Sequence, residues 1–117
     1  MNLLRLYSFT GSPDYREKIE KHFSFLSAPI QSTPLGYAVA LMALDYRLGP
    51  AKEITVTGNP QAPATKEIRD FLFKTFLPNK VMIFEKKEAP TTIRICENQT
   101  CQLPTANVNE AKKVITQ

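Results

Sequence analysis

The sequence predicts an α+β protein made of two parts, a helical segment over residues 1–49 and a small βαββα unit over residues 50–117. Apolar residues recur at helical spacing as far as Gly49-Pro50, where glycine permits a left-handed helix end and proline blocks continuation. Beyond that pair, stretches such as Glu53–Gly58 alternate at the two-residue period of a strand. A hydrophobic content of 43% with only 4 glycines is normal for a globular chain, so a core is expected.

Three helices are predicted in the first part. The first covers residues 1–9 and has no N-cap residue before it. The second begins with Ser12 as N-cap and Pro13 at its first position, where proline's fixed φ suits a helix. Its apolar face consists of Tyr15, Ile19, His22, Phe23 and Leu26. The third begins at Thr33-Pro34 and is apolar almost all round over residues 37–44, so neighbours are expected on more than one side.

The second part is predicted to form strands at residues 53–58, 80–85 and 91–96. After a Pro-rich loop, Thr65 is expected to cap the helix that joins the first two strands. That helix is expected to bury Ile68, Phe71, Leu72 and Phe76. The helical connection predicts a parallel first pair, and the short link over residues 86–90 favours an antiparallel third strand. The expected sheet is therefore three-stranded and mostly parallel.

The tail is predicted to form a last helix with Asn107 as its N-cap and Glu110 three residues further on. Its apolar face consists of Val108, Ala111, Val114 and Ile115.

Composition and charge exclude several classes of function. The net charge is +4, from 15 basic and 11 acidic residues, and the basic residues stand singly or in pairs beside acids. Nucleic-acid binders concentrate basic residues in a stripe with aromatics, so no nucleic-acid partner is expected. No apolar run approaches about 18 residues, which excludes a membrane span. The N-terminal stretch lacks the pattern of a secretory signal. A cytoplasmic location is expected, where cysteines are usually thiols.

The two cysteines, Cys96 and Cys101, are the only place where unusual chemistry is expected. Their C-x4-C spacing allows a small disulfide loop if the two β-carbons approach to about 3.8 Å. Redox enzymes usually place C-x-x-C at a helix N-terminus, whereas Cys96 ends a predicted strand. A zinc site needs about four ligands, and the only other soft ligand is the distant His22. A structural pair is the favoured interpretation, and redox activity and metal binding are the alternatives.

Other candidate residues have ordinary structural explanations. His22 lies on an apolar helix face and is expected to be a partly buried, hydrogen-bonded imidazole. Glu17 and Glu20 are expected on a solvated face. Asn98 begins a glycosylation sequon but is better interpreted as a turn former. The turn at Gly58-Asn59-Pro60 lacks the full glycine fingerprint of a phosphate site, which disfavours nucleotide binding. No catalytic, cofactor-binding or metal-binding residue is therefore assigned.

Several stretches together resemble one protein family, and their order covers nearly the whole chain. They are Asn2–Tyr7 with Thr10-Gly11, Ala43–Pro50 running into Lys52–Val56, and Phe76–Val81 followed by the C-x4-C-Gln-Leu-Pro segment. This pattern resembles the C-terminal end of the YyaL-like proteins, the thioredoxin-domain family related to spermatogenesis-associated protein. Members of that family carry a thioredoxin-like domain, an α/α toroid similar to that of the N-acylglucosamine 2-epimerases, and a C-terminal extension.

The resemblance implies that residues 1–49 correspond to the last toroid helices and residues 50–117 to the extension. It also accounts for the uncapped first helix, which looks cut from within a longer protein. The thioredoxin-like domain and most of the toroid have no counterpart in this sequence. No catalytic residue or cofactor of the family can therefore be placed on it.

Three hypotheses about function follow. The favoured one is a non-catalytic structural or interaction module. The alternatives are a fragment of a carbohydrate-active, epimerase-like enzyme completed by an upstream-encoded toroid polypeptide, and a small thiol redox protein using Cys96 and Cys101. Because Leu3, Leu4, Leu6 and the apolar Tyr37–Leu48 helix are expected to leave a bare flank, a homodimer through the helical segment is also predicted.

Overall fold

The computed structural model describes residues 1–97 and 100–117, which form two compact units, Met1–Pro50 and Ala51–Gln117. The first unit is helical, and the second combines a sheet with two helices. The predicted α+β class is therefore confirmed.

The first unit contains three α-helices and one turn of 3₁₀-helix. They are α1 (Asn2–Thr10), α2 (Pro13–Ser32), the 3₁₀ turn (Pro34–Tyr37) and α3 (Ala38–Leu48). Helix α1 ends at Gly11, whose φ of 64° lets its N–H reach back to the carbonyl of Tyr7. Ser12 occupies the N-cap position of α2, as predicted, but its side chain makes no capping hydrogen bond.

Side chains from all three α-helices form the interior of this unit. Leu4, Ile19, Ala43 and Tyr46 are buried, one or two from each helix. The Tyr46 hydroxyl lies 3.2 Å from the Ser8 hydroxyl, which ties α3 to α1. Because Leu4 is buried, it does not belong to the exposed flank that was predicted for α1.

The second unit is built around a four-stranded mixed sheet. Its elements are β1 (Lys52–Gly58), α4 (Pro63–Lys74), β2 (Lys80–Lys86), β3 (Thr92–Glu97), β4 (Thr100–Cys101) and α5 (Val108–Thr116). The strand order is β2-β1-β3-β4; β1 and β2 are parallel, and the other two pairs are antiparallel. The prediction of a mostly parallel, three-stranded sheet is wrong, because β3 pairs with the far side of β1 and β4 then adds to β3.

One face of this sheet carries the main core. Alternate residues of β1 and β3 supply Ile54, Val56, Ile93 and Ile95, and the helices α4 and α5 cover them with Ile68, Leu72, Ala111 and Ile115. The strands therefore follow the period-2 pattern, and the helices follow the i, i+4 pattern that was read from the sequence. Burying each large aliphatic side chain stabilises the fold by roughly 1.5–3 kcal/mol.

Two predictions about α4 are wrong. The helix begins at Pro63, with Ala62 as its N-cap, because proline fits the first helical position; Thr65 therefore lies inside the first turn. Phe76 was predicted to be buried, but it follows the helix end at Lys74 and is 88% exposed.

The N-cap of α5 is confirmed. The Asn107 side-chain oxygen accepts hydrogen bonds from the backbone N–H groups of Asn109 and Glu110, at 3.0 and 3.2 Å. It therefore satisfies two donors of the first turn that have no partner within the helix.

Candidate functional site

Cys96 and Cys101 lie directly opposite each other on β3 and β4, and their sulfur atoms are joined in a disulfide. The backbone N–H of Gln102 donates to the carbonyl of Ile95 at 2.9 Å. Because hydrogen-bonded and non-hydrogen-bonded pairs alternate along an antiparallel ladder, the cysteines occupy the closer, non-hydrogen-bonded kind of pair. Asn98, predicted to form a turn, lies outside the described residues, as does Gln99.

The two cysteines differ in exposure. Cys96 is 7% exposed and lies on β3, between β1 and β4. Its partner in the register of β1 is Glu53, so the Glu53 side chain lies on the same face of the sheet as Cys96. Cys101 is exposed on the outer strand β4. The disulfide therefore joins a buried cysteine inside the sheet to an exposed cysteine on its outer strand.

The chain remains attached to β3 after the disulfide. Thr105 exchanges two backbone hydrogen bonds with Ile93, of 2.8 and 2.9 Å. Between that pair and the Ile95–Gln102 bond, Leu103-Pro104 oppose the single residue Arg94, which has the two-against-one count of a β-bulge. The edge segment thus leads directly to the start of α5.

The start of α5 is linked to this edge segment through Thr105. The Thr105 hydroxyl donates to the Glu110 carboxylate at 2.7 Å and accepts from the backbone N–H of Asn107 at 3.1 Å. The Glu110 carboxylate is therefore used by Thr105, and the Asn107 side chain accepts from the backbone N–H groups of the first turn. The disulfide hairpin and the last helix form one connected structure.

Threonine side chains fill the carboxyl end of β1. The link between β2 and β3 crosses this end, and a β-carbon added at Gly58 would lie 3.0 Å from the Thr91 Cα. The Thr65 and Thr91 hydroxyl groups are 2.7 Å apart in a buried hydrogen bond. Beside them, the Asn59 amide donates to the Glu88 carboxylate at 3.1 Å. The threonine side chains leave no room for a phosphate at this turn, and the nearby Glu88 carboxylate would repel one.

Two partly buried lysines are engaged by helix ends. The Lys52 ammonium donates to the carbonyls of Val114 and Ile115 at 3.1 and 2.9 Å. Lys52 also lines a cavity of about 370 Å³ together with Glu97 and Gln102. Because its ammonium already bonds two carbonyls at the end of α5, we assign Lys52 a structural role and not a binding role in this cavity.

Lys80 plays the same part at the other helix. Its ammonium donates to the carbonyls of Leu72 and Thr75 at the end of α4. Neither lysine was predicted from the sequence to have a structural role. Each stands at the first position of its strand, β1 or β2, on either side of α4 in the βαβ segment.

His22 is exposed, so the prediction of a partly buried imidazole is wrong. Its Nδ1 lies 2.7 Å from the carbonyl oxygen of Lys18, which can only accept, so Nδ1 is the donor. The imidazole lies at an open groove of about 490 Å³ whose lining is mostly apolar and includes Leu3, Ile19, Phe23, Leu26 and Ala43. One imidazole among apolar side chains provides no acid–base pair.

Two glutamates of α2 are paired with cations. Glu20 lies 2.6 Å from Arg47 of α3, whose guanidinium also lies 5.1 Å from the centre of the Phe23 ring. Glu17 lies 2.6 Å from Lys21 on the same helix. The hydrogen bond from Lys21 lowers the pKa of Glu17 and raises the pKa of Lys21. The two glutamates are therefore solvated ion-pair partners, in line with the solvated face expected for them.

Within residues 1–97 and 100–117, no group of three or more His, Cys, Asp or Glu side chains is placed to hold a metal ion. No helix in the described part of the chain has the length and apolar character needed to cross a membrane.

Comparison with known proteins identifies three similar curated sequences. Spermatogenesis-associated protein 20 of Mus musculus is 29% identical over 135 residues, and the alignment covers 99% of this chain. The Homo sapiens protein is 29% identical over 133 residues, and the Rattus norvegicus protein 28% over 135. No protein-family model and no solved structure matches. The chain spans 17% of the length of these relatives, and the similarity confirms the resemblance to their thioredoxin-domain family.

Proposed function

We propose that this chain, a relative of spermatogenesis-associated protein 20 along nearly its whole length, is a non-catalytic interaction module. In this proposal, it corresponds to the C-terminal end of a thioredoxin-domain protein with an epimerase-like toroid. Its proposed location is the cytoplasm.

The supporting observation is the apolar surface of the helical unit. On α3, Val39, Met42 and Leu48 are 70%, 60% and 75% exposed, and Phe9 of α1 is also exposed. Val39 and Met42 are three positions apart on one helix, so they are neighbours on its surface. Neighbouring exposed apolar side chains such as these support an interaction site on α3.

We propose that a second copy of the chain covers this surface. A two-fold contact between helical units needs no other gene product, and it covers the same surface on both copies. A stable contact of this type buries about 1,000 Å² or more in total. The competing occupant is a separate toroid polypeptide, which would make the chain part of a carbohydrate-active enzyme.

Light scattering at micromolar concentration tests the proposal. The unmodified chain is expected to have the mass of a dimer, and Val39→Glu with Met42→Glu is expected to give a monomer. The matched control is Phe76→Glu with Leu103→Glu, which places the same charges on two exposed apolar positions of the other unit and should leave the dimer intact. A monomeric unmodified chain, or a dimer that survives the α3 changes, would contradict self-association.

Assays of sugar epimerisation and glycoside hydrolysis test the non-catalytic part of the proposal. The purified chain is expected to show no turnover, because the polar side chains singled out above are engaged in structural contacts. Turnover that disappears when one side chain is replaced would overturn this part.

A further inference from the structure

We propose that the Cys96–Cys101 disulfide is a site of thiol modification at which a small external thiol attaches to Cys101 alone. We further infer that Glu53 is a positioning residue that slows this exchange. Both inferences rest on the second unit and are independent of the function proposed for the helical surface.

The direction of attack follows from the position of the disulfide in the sheet. A thiolate attacks a disulfide sulfur along the sulfur–sulfur axis, from the side opposite the sulfur that leaves. Attack on Cys101 comes from outside β4, the last strand in the sheet order, where Cys101 is exposed. Attack on Cys96 comes from the side of β1, where Glu53 is the register partner of Cys96. Access therefore selects Cys101.

The exchange step requires only the small thiol and a proton from water. The thiolate of the small thiol forms a new bond to the Cys101 sulfur, and the bond between the two protein sulfurs breaks. The electron pair leaves on the Cys96 sulfur, which takes a proton from water. In the reverse step, the Cys96 thiolate attacks the Cys101 sulfur and expels the small thiol. The product is a mixed disulfide on Cys101 with a free thiol at Cys96.

Glu53 acts on the leaving sulfur. Directly opposite residues of an antiparallel pair have β-carbons about 4.5–5.5 Å apart, so a thiolate forming at Cys96 lies beside the Glu53 carboxylate. A neighbouring negative charge disfavours a second one, and a thiol of higher pKa leaves more slowly. Arg94, two residues before Cys96 on β3, is a cation on the same face of the sheet. Glu53 and Arg94 therefore have opposite expected effects on the exchange rate.

The backbone hydrogen bonds between β3 and the edge segment keep the two cysteines close together after exchange. The edge segment keeps its Ile93–Thr105 and Ile95–Gln102 hydrogen bonds when the disulfide opens. Cys101 therefore remains near Cys96, and the disulfide re-forms when the small thiol is removed.

The site of attachment is tested by mass spectrometry on the full chain prepared without reductant. The protein is incubated with reduced glutathione, free thiols are blocked with iodoacetamide, and peptides are analysed. We expect glutathione on Cys101 and carbamidomethyl on Cys96. Glutathione on Cys96, or an equal distribution between the cysteines, would overturn the selectivity. Two free thiols before incubation would overturn the disulfide itself.

The role of Glu53 is tested by the rate of the same reaction. Glu53→Gln is expected to accelerate opening about threefold, because it removes the negative charge beside the sulfur that leaves as a thiolate. Arg94→Gln is expected to slow it. The matched control is Glu97→Gln, which removes a carboxylate adjacent to Cys96 in sequence but on the opposite face of β3. Equal acceleration by Glu53→Gln and Glu97→Gln, or no effect of Glu53→Gln, would contradict the inference.

Repeating the rates with 2-mercaptoethanol separates two explanations. This thiol has no charged group besides its thiolate, whereas glutathione is an anion. An acceleration by Glu53→Gln of similar size with both thiols is the result expected for an effect on the leaving sulfur. An acceleration seen with glutathione only would show repulsion of the incoming anion and would overturn the assigned role.

Discussion

Lys52 and Lys80 are register partners at the starts of the parallel strands β1 and β2, and each ammonium holds the end of a different helix. Lys52 donates to the last carbonyls of α5, and Lys80 donates to those at the end of α4. These carbonyls have no partner within their helices and carry the negative end of the helix dipole. The amino-terminal ends of β1 and β2 thus each supply a lysine that caps the carboxyl end of a helix.

Replacing either lysine is expected to destabilise the second unit. We expect Lys52→Met and Lys80→Met each to lower the free energy of unfolding by about 1–2 kcal/mol, because each leaves two carbonyls without their charged donor. Urea unfolding measures the change. Lys86→Met, at the exposed end of β2, is the control and should change stability little. Equal effects at all three positions would contradict the capping role.

Gly58→Ala is expected to cost roughly 1–3 kcal/mol, from backbone strain and from the close contact with Thr91. The φ of Gly58 is 156°, and the added β-carbon would lie 3.0 Å from the Thr91 Cα. Thermal unfolding provides the measurement. Gly36→Ala is the matched control, because its nearest neighbour beyond the adjacent residues is a flexible methyl group at 3.6 Å. A Gly58→Ala protein as stable as the control would show that the link does not constrain β1.

Removing the N-cap of α5 is expected to cost about 1 kcal/mol. Asn107→Ala deletes the oxygen that accepts from the N–H groups of Asn109 and Glu110. The control is Asn109→Ala, which removes an exposed side chain of the same type two positions later and retains the backbone N–H that Asn107 caps. Comparable losses of stability for the two variants in chemical denaturation would argue against a specific cap.

Replacing both cysteines by serine is expected to destabilise the protein by about 2 kcal/mol, the chain-entropy value for a loop of this size. In an insulin-reduction assay, the unmodified chain should do no better than a protein with a free cysteine, because neither sulfur lies at a helix N-terminus. Strong activity that disappears in the double variant would favour the redox alternative.

The elements of the second unit could be predicted because their signals are local. The alternation in Glu53–Gly58 and the Asn107 cap depend on residues next to each other in the chain, and both are present in the structure. The failures have different causes. Thr65 has the chemistry of a cap, but Pro63 takes the first helical position, so Thr65 falls inside the first turn and its hydroxyl bonds that of Thr91, 26 positions away. The sheet order depends on where the link between β2 and β3 crosses.

The candidate site was predicted only in part. The spacing of Cys96 and Cys101 indicated a pair, and the structure joins them. The asymmetry between them could not be predicted, because it arises from the position of β3 inside the sheet and of β4 at its edge. Glu53 gave no signal, since its relation to Cys96 exists only in the register of β1 and β3.

The hydrogen bonds of Lys52 have a consequence for how the second unit fits into a polypeptide. Lys52 lies in the first strand, and its carbonyl partners, Val114 and Ile115, lie in the last helix. The entrance and the exit of the unit are therefore side by side. A domain whose two ends lie close together can be inserted into a loop of another protein with short connections on both sides.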